Sequence, residues 1–144
     1  MKVRVEAEIR PTENEDKVMR AVTNVFIPEN TRIVEMGKFR LLIAESSKVA
    51  SLLKLHELLR RERILDAARI KMLRGAYGSI LHFKIHKQAA YQGRLSFVDD
   101  DRESPLGAIS FTIECRNPRE LIDWLAPRTA HGRPLWEKEI PREL

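Results

Sequence analysis

The chain has one cysteine, Cys115, in 144 residues. A single thiol excludes an internal disulfide, and the paired-cysteine spacings of structural zinc sites are missing with it. A reduced, cytoplasmic setting is the expectation. Glycine is also scarce: the six residues are scattered, with no Gly-rich phosphate loop and no Gly-x-Ser-x-Gly nucleophile elbow. Apolar runs end after a few residues, so no membrane-spanning helix is predicted. The N-terminal Met1-Lys2-Val3-Arg4-Val5-Glu6 alternates charge with apolar side chains and lacks the apolar core of a signal peptide. No low-complexity tract argues for disorder.

Charge is what the chain has in quantity. Charged residues make up 33%, with 26 basic against 21 acidic side chains and a net charge of +5. Such a composition is common in heat-adapted proteins, where ion-pair networks gain value with temperature. The excess of base permits an anionic partner without requiring one. The length is that of one ordinary domain, enough to bury a core without metal or disulfide support.

Val3, Val5, Ala7 and Ile9 alternate with charged residues, which predicts a first strand with one buried face. Thr12 and Glu15 have capping-box spacing, and Val18, Ala21, Val22, Val25 and Phe26 recur at helical spacing, predicting a helix over 13–26. Arg32 to Met36 and Phe39 to Glu45 read as strands joined by a tight turn at Gly37-Lys38. A long helical region follows from Ser46 or Ser47 to Gly75, with a break near Arg60 to Glu62 where the apolar stripe wanders. Further strands are predicted at 81–86, around Leu95 to Val98, and from Ile109 to Cys115. The segment Lys87-Gln88-Ala89-Ala90-Tyr91-Gln92-Gly93 reads as a positioned connection between two of them. Asp99 to Pro105 reads as a polar loop. Asn117-Pro118 marks a helix start, with Asn as cap and Pro at the first helical position. Strands and helices mix without strict alternation, which argues for an α+β fold.

The residue types that carry chemistry are poorly placed for it. His82 and His86 share a strand face but lie roughly 13 Å apart, whereas two ligands of one zinc each sit about 2 Å from it. Cys115 is in phase with Ile109, Phe111 and Ile113, so it is expected in the core. The acidic run Asp99 to Asp101 lacks the loop length and closing Glu of a calcium-binding hand. The long helical region is strongly basic, carrying Arg60, Arg61, Arg63, Arg69, Lys71 and Arg74. Such a stripe suits phosphate contacts. It also suits a solvated face, with Glu57 placed to pair with Arg60 and Arg61, and Asp66 with Arg63 and Arg69. Sheet-based RNA readers stack bases on exposed sheet aromatics. Here Phe83, Phe97 and Phe111 are in phase with the aliphatic residues and are predicted to face inward. The open face carries Arg4, Glu6, Glu8, Arg10, Arg40, His82 and Lys84, a mixed charge compatible with a protein surface or a second copy.

Several segments agree, in order, with one family. Val3 to Arg10 with Pro11-Thr12-Glu13, Leu58-Leu59-Arg60 through Arg69, Lys87-Gln88-Ala89-Ala90-Tyr91, Pro105-Leu106-Gly107 and Ile122-Asp123-Trp124-Leu125-Ala126-Pro127-Arg128-Thr129 together resemble the archaeal uncharacterised protein family 0201. The resemblance covers nearly the whole chain. It implies a fold similar to large-subunit ribosomal protein five, an α+β domain that binds ribosomal RNA. It implies no reaction and supplies no catalytic or ligand residues.

The expectation is a single α+β domain over residues 1–126, with one mostly antiparallel sheet and helices packed on one face. A Pro-rich, charged tail over 127–144 is expected to lie on the surface. The protein is expected to be non-catalytic, to need no metal or cofactor, and to bind RNA or a ribonucleoprotein. The alternative is a protein-interaction or self-associating module. Arg60, Arg61, Arg63, Lys87 and Arg128 are the candidate contacts to nucleic acid or partner.

Overall fold

The computed structural model describes residues 1–142; residues 143 and 144, the end of the expected tail, lie outside the described residues. In chain order the elements are β1 (Lys2–Ile9), α1 (Glu15–Val25), β2 (Asn30–Glu35), β3 (Arg40–Ser46), α2 (Leu53–Arg61), α3 (Leu65–Arg74), β4 (Ala76–Tyr77) and β5 (Ile80–His86). They continue with α4 (Lys87–Tyr91), β6 (Phe97–Val98), β7 (Ala108–Glu114), α5 (Pro118–Leu125), β8 (Thr129–Ala130) and β9 (Arg133–Pro134).

The alternation in β1 buries Val3, Val5, Ala7 and Ile9 and makes this strand the centre of the sheet. It runs antiparallel to β3 on one side and β7 on the other, with Val5 opposite both Ala44 and Phe111. The seven-stranded sheet has the order β2-β3-β1-β7-β5-β4, and β6 also pairs with β5. The helices cover one face. Phe111 anchors the core beneath them, stacked on Phe83 at 4.8 Å between ring centroids and edge-on to Phe26 at 5.9 Å. Phe83 and Phe111 thus point inward as predicted, while Phe97 is half-buried against Phe83.

Local chemistry sets the element ends. Asn14 rather than Thr12 caps α1, its Oδ1 accepting from the Asp16 and Lys17 amides at 2.8 and 3.2 Å. The helix therefore starts later than the capping-box spacing suggested. The β2–β3 turn closes through the Met36 amide donating to the Phe39 carbonyl, with Gly37 at φ +92° as this turn demands. The long helical region breaks at Arg63, which adopts φ +55° between α2 and α3. Gly75 sits so close to the His82 carbonyl that a Cβ would clash, so α3 has to end on glycine there. Asn117 caps α5 by accepting from the Glu120 amide at 3.1 Å, and Pro118 begins it.

Two segments carry secondary structure that the sequence pattern did not assign. Lys87 to Tyr91 is a short helix, started by His86 Nδ1 accepting from the Ala89 amide. It is tied to α1 by Asn24, whose Nδ2 donates to the Ala90 and Tyr91 carbonyls. The tail is also folded: β8 and β9 form a small hairpin, and the Trp136 indole N–H donates to the Asp123 carbonyl on α5. On the open sheet face the charges neutralise one another, with Arg4 on Glu6, Arg10 on Glu8 and Arg32 on Glu45.

Candidate nucleic-acid interface

The basic stripe of α2 and α3 is largely turned to structural use. Arg60 donates through Nε and Nη2 to both carboxylate oxygens of Glu137, at 2.8 and 2.6 Å. The same guanidinium reaches the His56, Leu125 and Trp124 carbonyls. It is a bracket joining α2, α5 and the tail, and its hydrogen bond holds the Glu137 carboxyl below the usual range. Arg69 is buried; its Nη1 donates to the Ala126 carbonyl at 3.0 Å and its Nη2 lies 2.9 Å from Asp123 Oδ1. That second contact is an ion pair without hydrogen-bond alignment. Lys71 is held by Asp99. The i,i+4-type pairs of Glu57 and Asp66 expected from spacing are not among the ion pairs of the described residues; distant Glu137 and Asp123 take their place.

Lys87 requires a correction. It is 3% exposed, and its ammonium donates to the Glu8 carbonyl at 2.7 Å, the Leu106 carbonyl at 2.5 Å and Glu13 Oε1 at 3.1 Å. Burial pushes its pKa down, and Glu13 works against that shift. Three internal acceptors use its three N–H groups, so none is left for a phosphate. Leu106 takes φ +66°, one of three non-glycine left-handed residues among the described residues, where its carbonyl meets this ammonium.

The other two among the described residues, Arg63 and His131, line one groove. Backbone held in that region costs energy and persists where the surroundings impose it. The groove lies between the α2–α3 break and the β8–β9 hairpin, has a volume of about 550 Å³, and includes Arg60, Asp66, Arg133 and Glu137. Arg60 and Glu137 neutralise each other, and the Thr129 hydroxyl donates to Asp66. Arg63 and Arg133 make no ion pair among the described residues. Arg128, exposed and likewise unpaired, immediately precedes Thr129, which also lines the groove. Of the five expected contacts, the structure places Arg60 and Arg63 in this groove and Arg128 beside it. Arg61 lies elsewhere and donates to the Gly93 carbonyl. Sequence reasoning missed His131 and Arg133; the available signal was the His131-Gly132 turn inside the tail.

His56 couples this region to pH. Its ring stacks on Trp124 at 4.6 Å between centroids, and Nε2 is buried without a hydrogen-bond partner. Burial, then the nearby Arg60 charge, lowers its pKa from 6.5. The unfolded chain therefore binds more protons below pH 6.5 than the folded one, and stability rises with pH through that window. Thermal melts are expected to show stability fully present above about pH 6.5 and falling on acidification toward the depressed folded pKa. His56→Phe, which keeps a stacking ring, should flatten that part of the profile; an unchanged profile would contradict this.

Among the described residues no group of three or more His, Cys, Asp or Glu is placed to hold a metal ion, and no helix is long and apolar enough to cross a membrane. Cys115 is buried, and burial raises its thiol pKa.

A family model described as RNA binding matches residues 2–115. A UPF0201 protein of Saccharolobus islandicus is 53% identical over 144 residues, covering 100% of this chain and 99% of that protein. A UPF0201 protein of Aeropyrum pernix is 54% identical over 142 residues, covering 98% and 95%. The crystal structure of a UPF0201 protein from Methanococcus jannaschii superposes with a TM-score of 0.82 at 31% identity, over 94% of this chain and 99% of that one.

Proposed function

The chain belongs to the archaeal UPF0201 family, and on that premise we propose that it is a non-catalytic, cytoplasmic RNA-binding protein. The match of the RNA-binding family model across residues 2–115 carries this reading. The partner class is structured RNA or a ribonucleoprotein, in keeping with the likeness to large-subunit ribosomal protein five expected from the sequence. The contact surface is the groove at the α2–α3 break, with Arg63, Arg128 and Arg133 as phosphate ligands. An arginine guanidinium matches a phosphate in bidentate geometry and keeps its charge at any working pH.

The test is a retardation titration of labelled structured RNA over a range of salt. Removing Arg63 and Arg133 together (Arg63→Ala, Arg133→Ala) is expected to reduce the log–log salt slope by about 1 for each arginine. Equal slopes for variant and parent would remove the groove from the interface. A second reading is favoured by the sheet edge: all six residues of β2 are exposed, among them Ile33 and Val34. An open edge strand can add a strand from another chain. RNA left unretarded at low salt, together with a dimer in light scattering, would favour that reading.

A further inference from the structure

A second cationic concavity lies at one end of the sheet. It is bounded by the start of β1, the β3–α2 connection, the β4–β5 turn, the end of β7 and the tail, and has a volume of about 1120 Å³. Lys2, Lys48, Arg116 and Arg142 line it, against one lining carboxylate, Glu114. Lys2, Lys48 and Arg116 make no ion pair among the described residues. The contrast with the open sheet face is sharp, since Arg4, Arg10, Arg32 and Lys84 are each paired there. Glu29, which precedes β2, accepts from the Ser46 and Ser47 hydroxyls and the Ser47 amide at the edge of this cleft. Those hydrogen bonds, and after them the nearby Lys48 charge, hold its carboxyl below the usual range, but Glu29 and Lys48 form no ion pair among the described residues.

One lip of this cleft is the β4–β5 hairpin. Ser79 of its turn lines the cleft, and its carbonyl accepts from the Cys115 amide at 2.8 Å, fixing the hairpin to the end of β7. On the same hairpin, paired with Ile80, stands Tyr77, 89% exposed. Tyrosine usually hides most of its ring. Tyr77 is outside the lining itself, but a ring held outward on the hairpin whose turn borders a cleft of unpaired cations supplies the two elements of a single-strand site: a charged track for the backbone and a platform for a base.

We propose that this cleft binds single-stranded RNA, with phosphates on Lys2, Lys48 and Arg116 and an unpaired base stacked on Tyr77. The inference rests on the RNA-binding reading and narrows it, adding a site separate from the α2–α3 groove. A double helix does not satisfy it, because duplex bases are already stacked on each other and cannot lie on Tyr77.

The test measures anisotropy of a short labelled single-stranded RNA and of a hairpin duplex of the same composition. Tyr77→Ala is expected to weaken the single strand about 5- to 150-fold, the range for one lost base stack, and to leave the duplex unchanged. Tyr77→Phe should retain parent affinity. Lys48→Glu with Arg116→Glu should lower the single-strand salt slope by about 1.4. All of these positions are on the surface, and urea denaturation of each variant checks that folding is intact. If the parent binds no RNA, the RNA-binding reading and this site fall together. If the parent binds but only the Arg63 and Arg133 variants weaken it, this site alone is overturned. Parent-like single-strand binding by both Tyr77→Ala and the charge-reversed variant also overturns it, leaving the exposed Tyr77 to a protein contact.

Discussion

Lys87→Ala is expected to destabilise the protein by about 3–5 kcal/mol, the usual cost of removing one partner from a buried ion pair. The ammonium is nearly solvent-free, and its three acceptors come from three separate parts of the chain: Glu8 on β1, Glu13 before α1 and Leu106 before β7. Truncation leaves the Glu13 carboxylate, itself with a side chain only 10% exposed, without its counter-charge. It also leaves two carbonyls unsatisfied, and unsatisfied buried groups cost their full desolvation. The complementary double change, Lys87→Met with Glu13→Leu, removes both charges and should recover part of the loss. Urea unfolding at neutral pH reads both variants. A loss below about 1 kcal/mol for Lys87→Ala would show that this pair is not the clasp its geometry indicates.

Arg69→Ala has the second-largest expected effect, about 3 kcal/mol. The guanidinium joins α3 to the end of α5 through the Ala126 carbonyl and Asp123, and lies 5.8 Å from the Trp136 ring of the tail. The figure sits at the low end for a buried pair because Arg119 and Lys138 still face Asp123, at 3.5 and 3.9 Å. Arg69→Lys should recover little, since one ammonium cannot span both the carbonyl and the carboxylate as the guanidinium fork does. Trp136 provides the local readout: loosening of the tail should shift its fluorescence toward that of a solvated indole before global unfolding. Unfolding unchanged from the parent would contradict a structural role for Arg69.

The difference between what sequence showed and what it hid follows from interaction range. β1 and α5 were legible because their signals are local: strict alternation in Val3 to Ile9, and Asn117-Pro118 opening an apolar helix. The helix break was legible to within a few residues for the same reason. The role of Lys87 was hidden because lysine is by default a surface residue, and its acceptors are distant in the chain. The short helix α4 was hidden because five residues carry no usable period; contacts from Asn24 on α1 hold it. The basic stripe showed its composition but not its use, since Arg60 and Arg69 look beyond their own helices to Glu137 and Asp123. The tail read only as a Pro-rich, charged surface segment because a two-residue strand leaves almost no pattern, although β8 and β9 complete the groove that holds Arg63.

The most direct measurement is the salt dependence of RNA binding by the intact protein. Contact through Arg63, Arg128 and Arg133 predicts retardation of structured RNA at low ionic strength, with a log–log slope of about −2 to −3. Raising salt from about 50 to 200 mM should then weaken binding by about 16- to 64-fold. Absence of retardation at low salt, or an affinity indifferent to salt, would contradict an RNA-binding function for this chain.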